Sequence, residues 1–337
     1  MVKLFAINTS RGDYMSFVTI PLDKIRKIDF MVLPDNQRKT IKEMFAYLSP
    51  KPDYIINATF YNMDNGETIV HSEDENKAYG YVWSNEGIGI SGDRDLLWCD
   101  KKTAYGSATI RDFIGGCPTL VKDGVKFVDS GATASDYILN GSHYRSFFGY
   151  NDSNLYIGYT TTKCTVSQEV QECLNSKLTH AVNLDGGGSV SVGKNENGVL
   201  SVIAAPSGYR ANASWLLVYL NKDSAGNVVS VSRTPIKVKG TEYTFNAVLD
   251  SGKTLIQLRE LKQAGFTIGY SNGCATLNRP GLALSGTPDK TKGNIMIDNK
   301  MYTCEMKLIN DTNFMHIRQL EQAGYIVGYD TMASLDW

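Results

Sequence analysis

The chain has 337 residues, 42% of them hydrophobic and 20% charged, and its 34 basic against 35 acidic residues leave a formal charge of -1. That length exceeds what one hydrophobic core organises, so two domains are expected, and the composition excludes a disordered chain. The even charge offers no field for nucleic acid or an anionic membrane surface. The longest apolar run, 215–220 (WLLVYL), is far below the roughly 20 residues of a membrane-inserted helix.

In chain order, residues 1–14 turn polar after Ile7 and carry neither the apolar core nor the small-residue cleavage site of a signal peptide. The expectation is a cytoplasmic protein, or one released by a non-signal route such as phage lysis or a virion. Short strands then follow one another: KLFAI, SFVTI, YIINATF, YGYVW, LYIGYT, HAVNL and WLLVYL. Helical spacing occurs at 35–48, through Ile41, Met44, Phe45 and Leu48. It recurs after Thr165, where T-V-S-Q supplies a capping box before Val166, Val170 and Leu174. Strands and helices do not alternate regularly, so residues 1–222 are predicted to form an α+β domain with a mixed sheet. The six cysteines show no C-x-x-C pair and the four histidines no H-x-x-x-H spacing, which favours buried free thiols over a zinc site.

A polar, turn-rich linker is expected at 221–234, and beyond it, in 235–337, lies an internal repeat. The segments LIQLRELKQAGFTIGY (255–270) and FMHIRQLEQAGYIVGY (314–329) align without a gap at an offset of 59, and the match extends back to pair Ile236 with Ile295. The copies, about 236–270 and 295–329, each read as a β-β-α-β unit. Gly265 or Gly324 stands where a helix C-cap favours a left-handed residue. Units so small must pack on each other to bury their apolar faces.

The segment most suggestive of chemistry is 183–189, NLDGGGS, directly after the strand HAVNL. Asn183 and Asp185, two apart, leave the same face of an extended chain, and Gly186, Gly187 and Gly188 let backbone N–H groups approach an anion. A flexible hairpin turn with Asp at its corner is an equal alternative on these grounds. No Lys follows the glycines, so a nucleotide P-loop is excluded.

NLDGGGS resembles the signature of the phosphodiester glycosidase family, whose animal member uncovers mannose 6-phosphate by removing N-acetylglucosamine from a phosphodiester. INATFYN (56–62), IGGCPTLVKDG (114–124), HYRSFFGYN (143–151) and YRANASWLLVY (209–219) are similar to four more family segments, in family order. Ala58 and Thr59 stand where the family carries glycines, Ser146 where it carries Thr, and Cys117 interrupts a Gly-rich stretch.

The resemblance implies hydrolysis of the bond between an anomeric carbon and a phosphodiester. Such a reaction needs charge stabilisation at the sugar cation and at the departing phosphate. Asp185 is the candidate carboxylate that stabilises the cation or acts as base or nucleophile. Arg145 and Arg210 match the family's arginines and are candidates for bidentate phosphate contacts. Asn57, Asn183, Gly186, Gly187, Gly188 and Ser189 are candidate substrate contacts, and His143 is a candidate acid. The bland alternatives are a surface ion pair for Arg145, a turn contact for Asn57 and a polar surface role for His143. No cofactor is required. HSEDEN (71–76) leaves room for a divalent cation, with a solvated loop as the favoured reading.

The duplicated module resembles the repeat found in the N-terminal region of copper amine oxidase-like proteins. It lacks a copper-type ligand cluster, and is read as binding the cell envelope or holding a homodimer together. The substrate expected is a sugar phosphodiester in a cell-wall or surface glycan. A non-catalytic binder of a phosphorylated glycan, or a hydrolase of a soluble nucleotide-type glycosyl phosphodiester, are the alternatives.

Overall fold

Strand Ser214–Leu220 is buried at every position, because alternate side chains serve two different cores. Leu216, Val218 and Leu220 enter the central core with Ile56, Phe30 and Val192. Trp215, Leu217 and Tyr219 pack on the other side against Ile41, Met44 and Phe45 of the helix Ile41–Tyr47. Each such fully buried side chain stabilises the fold by about 1.5–3 kcal/mol relative to exposure.

The computed structural model describes residues 7–75, 77–80, 86–105, 107–129, 136–250, 253–283, 285–329 and 332–337. Most of the strand expected at KLFAI, residues 81–83 of YGYVW and Asn76 of HSEDEN lie outside the described residues. The chain forms two compact units, Met1–Leu220 and Asn221–Trp337. It is mostly sheet, with few and short helices. No helix among the described residues is long and apolar enough to cross a membrane.

Among the described residues the first unit contains three sheets. A seven-stranded sheet runs Asn8–Arg11, Ser16–Pro21, Asn154–Tyr159, Ser146–Tyr150, His180–Asn183, Thr119–Lys122 and Val125–Asp129. A five-stranded sheet runs Val199–Ala204, Val192–Glu196, Tyr54–Asn57, Ser214–Leu220 and Ile25–Val32. A second five-stranded sheet runs Lys77–Tyr79, Ser72–Asp74, Ile110–Gly115, Glu86–Ser91 and Asp95–Asp100. Every described pairing in this unit is antiparallel, which corrects the expected mixed sheet. Parallel neighbours need helical crossovers, whereas several of these strands are joined by short turns.

Two helices cover sheet faces. Val166–Asn175 starts at Thr165, whose side chain forms the capping box with Gln168 that the sequence predicts. It packs Val166, Val170 and Cys173 on Phe17, Phe147 and Ala181. The helix expected at 35–48 begins only at Ile41, capped by Thr40 and Glu43. Asp35 and Asn36 hold φ of 55°, in the left-handed region, and end an α-helix before it could start there.

In the second unit the segment read as a linker is itself structured. Lys222 pairs with Val228, and the Asp223 carboxylate accepts from the N–H groups of Ala225 and Asn227. Equivalent elements recur at the offset of 59. Lys253–Gln257 corresponds to Thr312–His316, Leu258–Ala264 to Ile317–Ala323, and Cys274–Asn278 to Ala333–Asp336. The expected α-helix is a 3-10 helix in both copies, and each carries an additional final strand, so the β-β-α-β description is corrected. Gly265 and Gly324 close these helices at φ 83° and 86°.

The copies interlock. Ser232–Val238 pairs in parallel with Ala333–Asp336, and Cys274–Asn278 with Ile295–Ile297. Lys253–Gln257 meets its own counterpart antiparallel, Ile256 opposite Met315. One core, including Ile236, Ile256, Leu261, Ile295, Met315 and Leu320, is therefore shared by both. All six cysteines of the chain are free and buried.

Candidate active site

Asp185 lies just beyond the strand His180–Asn183, where the ends of two sheets meet. Its N–H donates to the Ala58 carbonyl at 2.8 Å, and its own carbonyl accepts from Asn57 Nδ2 at 2.7 Å and from the Ser146 hydroxyl at 3.2 Å. The loop is thus tied to the end of strand Tyr54–Asn57 and to the start of Ser146–Tyr150. Burial pushes the Asp185 carboxyl up to about 7; the Ser189 hydroxyl, the Arg210 charge and the Gly186 N–H pull in the other direction.

Arg210 is exposed, and its guanidinium lies flat against Gly188. A Cβ at Gly188 would sit 2.4 Å from Arg210 Cζ, so only glycine admits this approach. Gly187 holds φ of 58° with open space where a side chain would project. The predicted trio of backbone donors is not available as such. The Gly186 N–H is directed to Asp185, and the Gly187 N–H donates to the Tyr144 carbonyl at 2.8 Å. The glycines serve close packing of Arg210 and Tyr144 more than anion capture.

Three further candidates are positioned differently from the sequence reading. Arg145 is 2% exposed. Its Nε donates to the Cys164 carbonyl at 2.9 Å, its Nη2 to the carbonyls of Ile138 and Gly141 at 2.7 and 3.0 Å, and Nη1 lies 3.9 Å from Glu169. Alternation along the extended chain explains this: Ser146 faces Asp185, so Arg145 faces the opposite side. His143, two residues earlier, shares that side; its Nε2 lies 2.8 Å from the Tyr137 carbonyl and its ring packs on Tyr137. Neither side chain joins Asp185. Arg145 is a buried structural cation, and Glu169 beside it is pushed up to about 8 by burial.

Asn57 is fully buried, and both ends of its amide are engaged: Oδ1 accepts from the Ser191 N–H at 3.0 Å and the Ser146 hydroxyl at 3.3 Å. It positions the Asp185 loop. Asn183 donates through Nδ2 to the Cys117 carbonyl, while its Oδ1 has no protein partner. Ser189, fully buried, sits against Asp185 and Tyr61.

The structure adds residues that the sequence reading did not single out. Tyr61, 5% exposed, donates its hydroxyl to the Ala211 carbonyl at 2.7 Å, beside Arg210. Burial raises its hydroxyl pKa, and the Asp185 charge adds to the effect. Asn212 donates to the Ser189 carbonyl at 3.1 Å, linking the Arg210 segment to the glycine loop. Ser214 accepts from the Thr59 N–H at 2.9 Å and fixes the strand end. Asn212 and Ser214 lie within the quoted YRANAS segment, which was the available signal; Tyr61 shares a face with Thr59 in NATFY.

Residues 71–75 of HSEDEN are not a solvated loop. Ser72–Asp74 is a strand, Glu73 is fully buried 3.2 Å from His71, and Asp74 accepts from the Val32 N–H. No group of three or more His, Cys, Asp or Glu among the described residues is placed to hold a metal ion.

The family model for phosphodiester glycosidases matches residues 50–219, half of the chain and every element of the site above. The chain belongs to the phosphodiester glycosidase family. No curated protein matches it. Among solved structures it is similar to the zebrafish N-acetylglucosamine-1-phosphodiester alpha-N-acetylglucosaminidase catalytic domain auto-inhibited by pro-peptide, at 16% identity and a TM-score of 0.48, over 64% of this chain and 81% of that one. A hypothetical protein from Synechocystis is similar at 12% identity and a TM-score of 0.45, over 63% of this chain and 61% of that one. Within the phosphodiester glycosidase domain, Asp185, Ser189, Arg210, Tyr61 and Asn212 converge, and Arg145 and His143 do not.

Proposed function

We propose that the first unit hydrolyses the bond between an anomeric sugar carbon and a phosphodiester, probing a cell-wall or surface glycan as its substrate. The observation that carries this reading is a single buried carboxyl with a value of about 7 beside an exposed, glycine-seated arginine. Arg210 takes the phosphate through its planar fork. Ionised Asp185 stabilises positive charge as it develops on the sugar, and water adds to the anomeric carbon as the carbon–oxygen bond to phosphate breaks. The electron pair of that bond leaves with the phosphate, and the proton that the attacking water gives up passes to the released phosphate, giving a reducing sugar and a phosphomonoester. Phosphate leaves without strong protonation, so one carboxylate suffices where ordinary glycosidases pair two.

The second unit holds the enzyme near the polymer it cleaves. The reading is tested with a panel of sugar-1-phosphodiesters, following reducing sugar and phosphomonoester together. The native chain releases both and the Asp185→Asn variant neither; equal rates for the two proteins would sink the assignment. Binding to the panel with no product from either would leave a non-catalytic glycan binder.

A further inference from the structure

The second unit contains an open cavity of ≈ 960 Å³, with Arg259, Lys262, Tyr270, Leu308, Asp311 and Asn313 among its lining residues. That size lies at the upper end of small-ligand sites and suits a short oligomer better than one ring. Residues three apart eclipse on a 3-10 helix. Arg259 and Lys262 therefore stand one above the other on the outer side of Leu258–Ala264, while Leu258 and Leu261 enter the core. Tyr270, which lines the cavity, is 70% exposed and leaves most of its ring available to a ligand.

The internal duplication supplies an independent comparison. At the offset of 59, Arg259, Lys262 and Tyr270 become Arg318, Glu321 and Tyr329. In that second copy the Arg318 guanidinium lies over the Tyr329 ring, 4.9 Å from its centroid, so cation and ring are engaged with each other. Glu321 places an acid where the first copy has a cation. The two copies share a backbone plan and keep the arginine and the tyrosine; among these three positions they differ at one, where Lys262 is replaced by Glu321.

We propose that this cavity, lined by Arg259, Lys262 and Tyr270 of the first copy and by Leu308, Asp311 and Asn313 of the second, is a binding site for a phosphate-bearing oligosaccharide. The Tyr270 ring stacks on the apolar face of a sugar, Arg259 and Lys262 take a phosphate, and Asp311 and Asn313 accept or donate to hydroxyls. This gives chemistry to the tethering role above, and rests on that reading for the kind of polymer.

The test titrates the full chain, carrying Asp185→Asn to prevent turnover, with a glycosylated oligo(glycerol phosphate) and with a neutral chito-oligosaccharide of matched length. The charged oligomer binds, and Lys262→Glu, which installs the residue of the second copy, weakens it about tenfold or more together with Arg259→Gln, with a shallower salt dependence. Tyr270→Ala weakens it as well. In the otherwise native chain, Lys262→Glu leaves hydrolysis of a small soluble sugar-1-phosphodiester unchanged. Equal affinity of the Arg259→Gln, Lys262→Glu double variant, equal affinity for the neutral glycan, or displacement by an acidic peptide of matched charge overturns the assignment. Lys262-dependent binding without hydrolysis by the native chain would instead sink the catalytic reading and leave this one standing.

Discussion

Asp185→Asn should make the protein more stable while it abolishes turnover. Burial lifts this carboxyl from 3.8 to about 7, which places a penalty on the order of 4 kcal/mol on the ionised form in the folded state. Folding therefore favours the proton: the penalty is absent below the unfolded value of 3.8, grows as pH rises, and is complete above about 7. An amide removes the charge and carries its own desolvation cost of roughly 1–3 kcal/mol, leaving a net gain of about 2 kcal/mol. In a unit of this size that raises Tm by roughly 4–8 °C. Thermal unfolding of both proteins across a pH series measures it, with the gain present at alkaline pH and fading as pH falls towards the unfolded value. A variant no more stable than the native chain at alkaline pH, or one whose gain is the same at every pH, refutes the reasoning.

The two arginines should separate in their effects. Arg145→Lys loses planar contacts to three carbonyls inside the fold and costs roughly 3 kcal/mol of stability, read as a fall in Tm. Arg210→Gln leaves Tm within the small range of a surface change and lowers kcat/KM by about a hundredfold or more. Gly188→Ala forces the guanidinium of Arg210 aside; because that side chain is exposed and can move, the fold survives and kcat/KM falls about tenfold or more in a steady-state assay. With Asp185 acting as the ionised form, kcat/KM of the native chain rises through pH about 7 to a plateau; a fall through the same range would assign it as a proton donor instead.

Much of the fold was legible because local chemistry and burial agree. Thr165 with Gln168 announced the helix Val166–Asn175, and the run WLLVYL announced a strand buried on both faces. The offset of 59 foretold recurring elements, down to the left-handed Gly265 and Gly324. The interlocking of the copies was not legible, since strand partners distant in sequence leave no local periodicity. Of the candidate site residues, the structure brings Asp185 and Arg210 to the same glycine loop and places the Arg145 and His143 side chains elsewhere. Sequence proximity to Ser146 does not reveal which face of an extended chain an odd-numbered neighbour takes until the register with Asn183 is known. Asn57 looked like a ligand because an asparagine at a strand end has the same sequence signature whether its amide faces a ligand or, as here, ties the Asp185 loop to the strand through both its oxygen and its nitrogen.

The central claim is that Asp185 and Arg210 form one site. A crystal of the full chain soaked with a sugar 1-phosphate tests it most directly. The phosphate is expected within about 3 Å of the Arg210 guanidinium, with the anomeric carbon beside the Asp185 carboxyl. A phosphate bound at Arg145, or a sugar held away from Asp185, would contradict it.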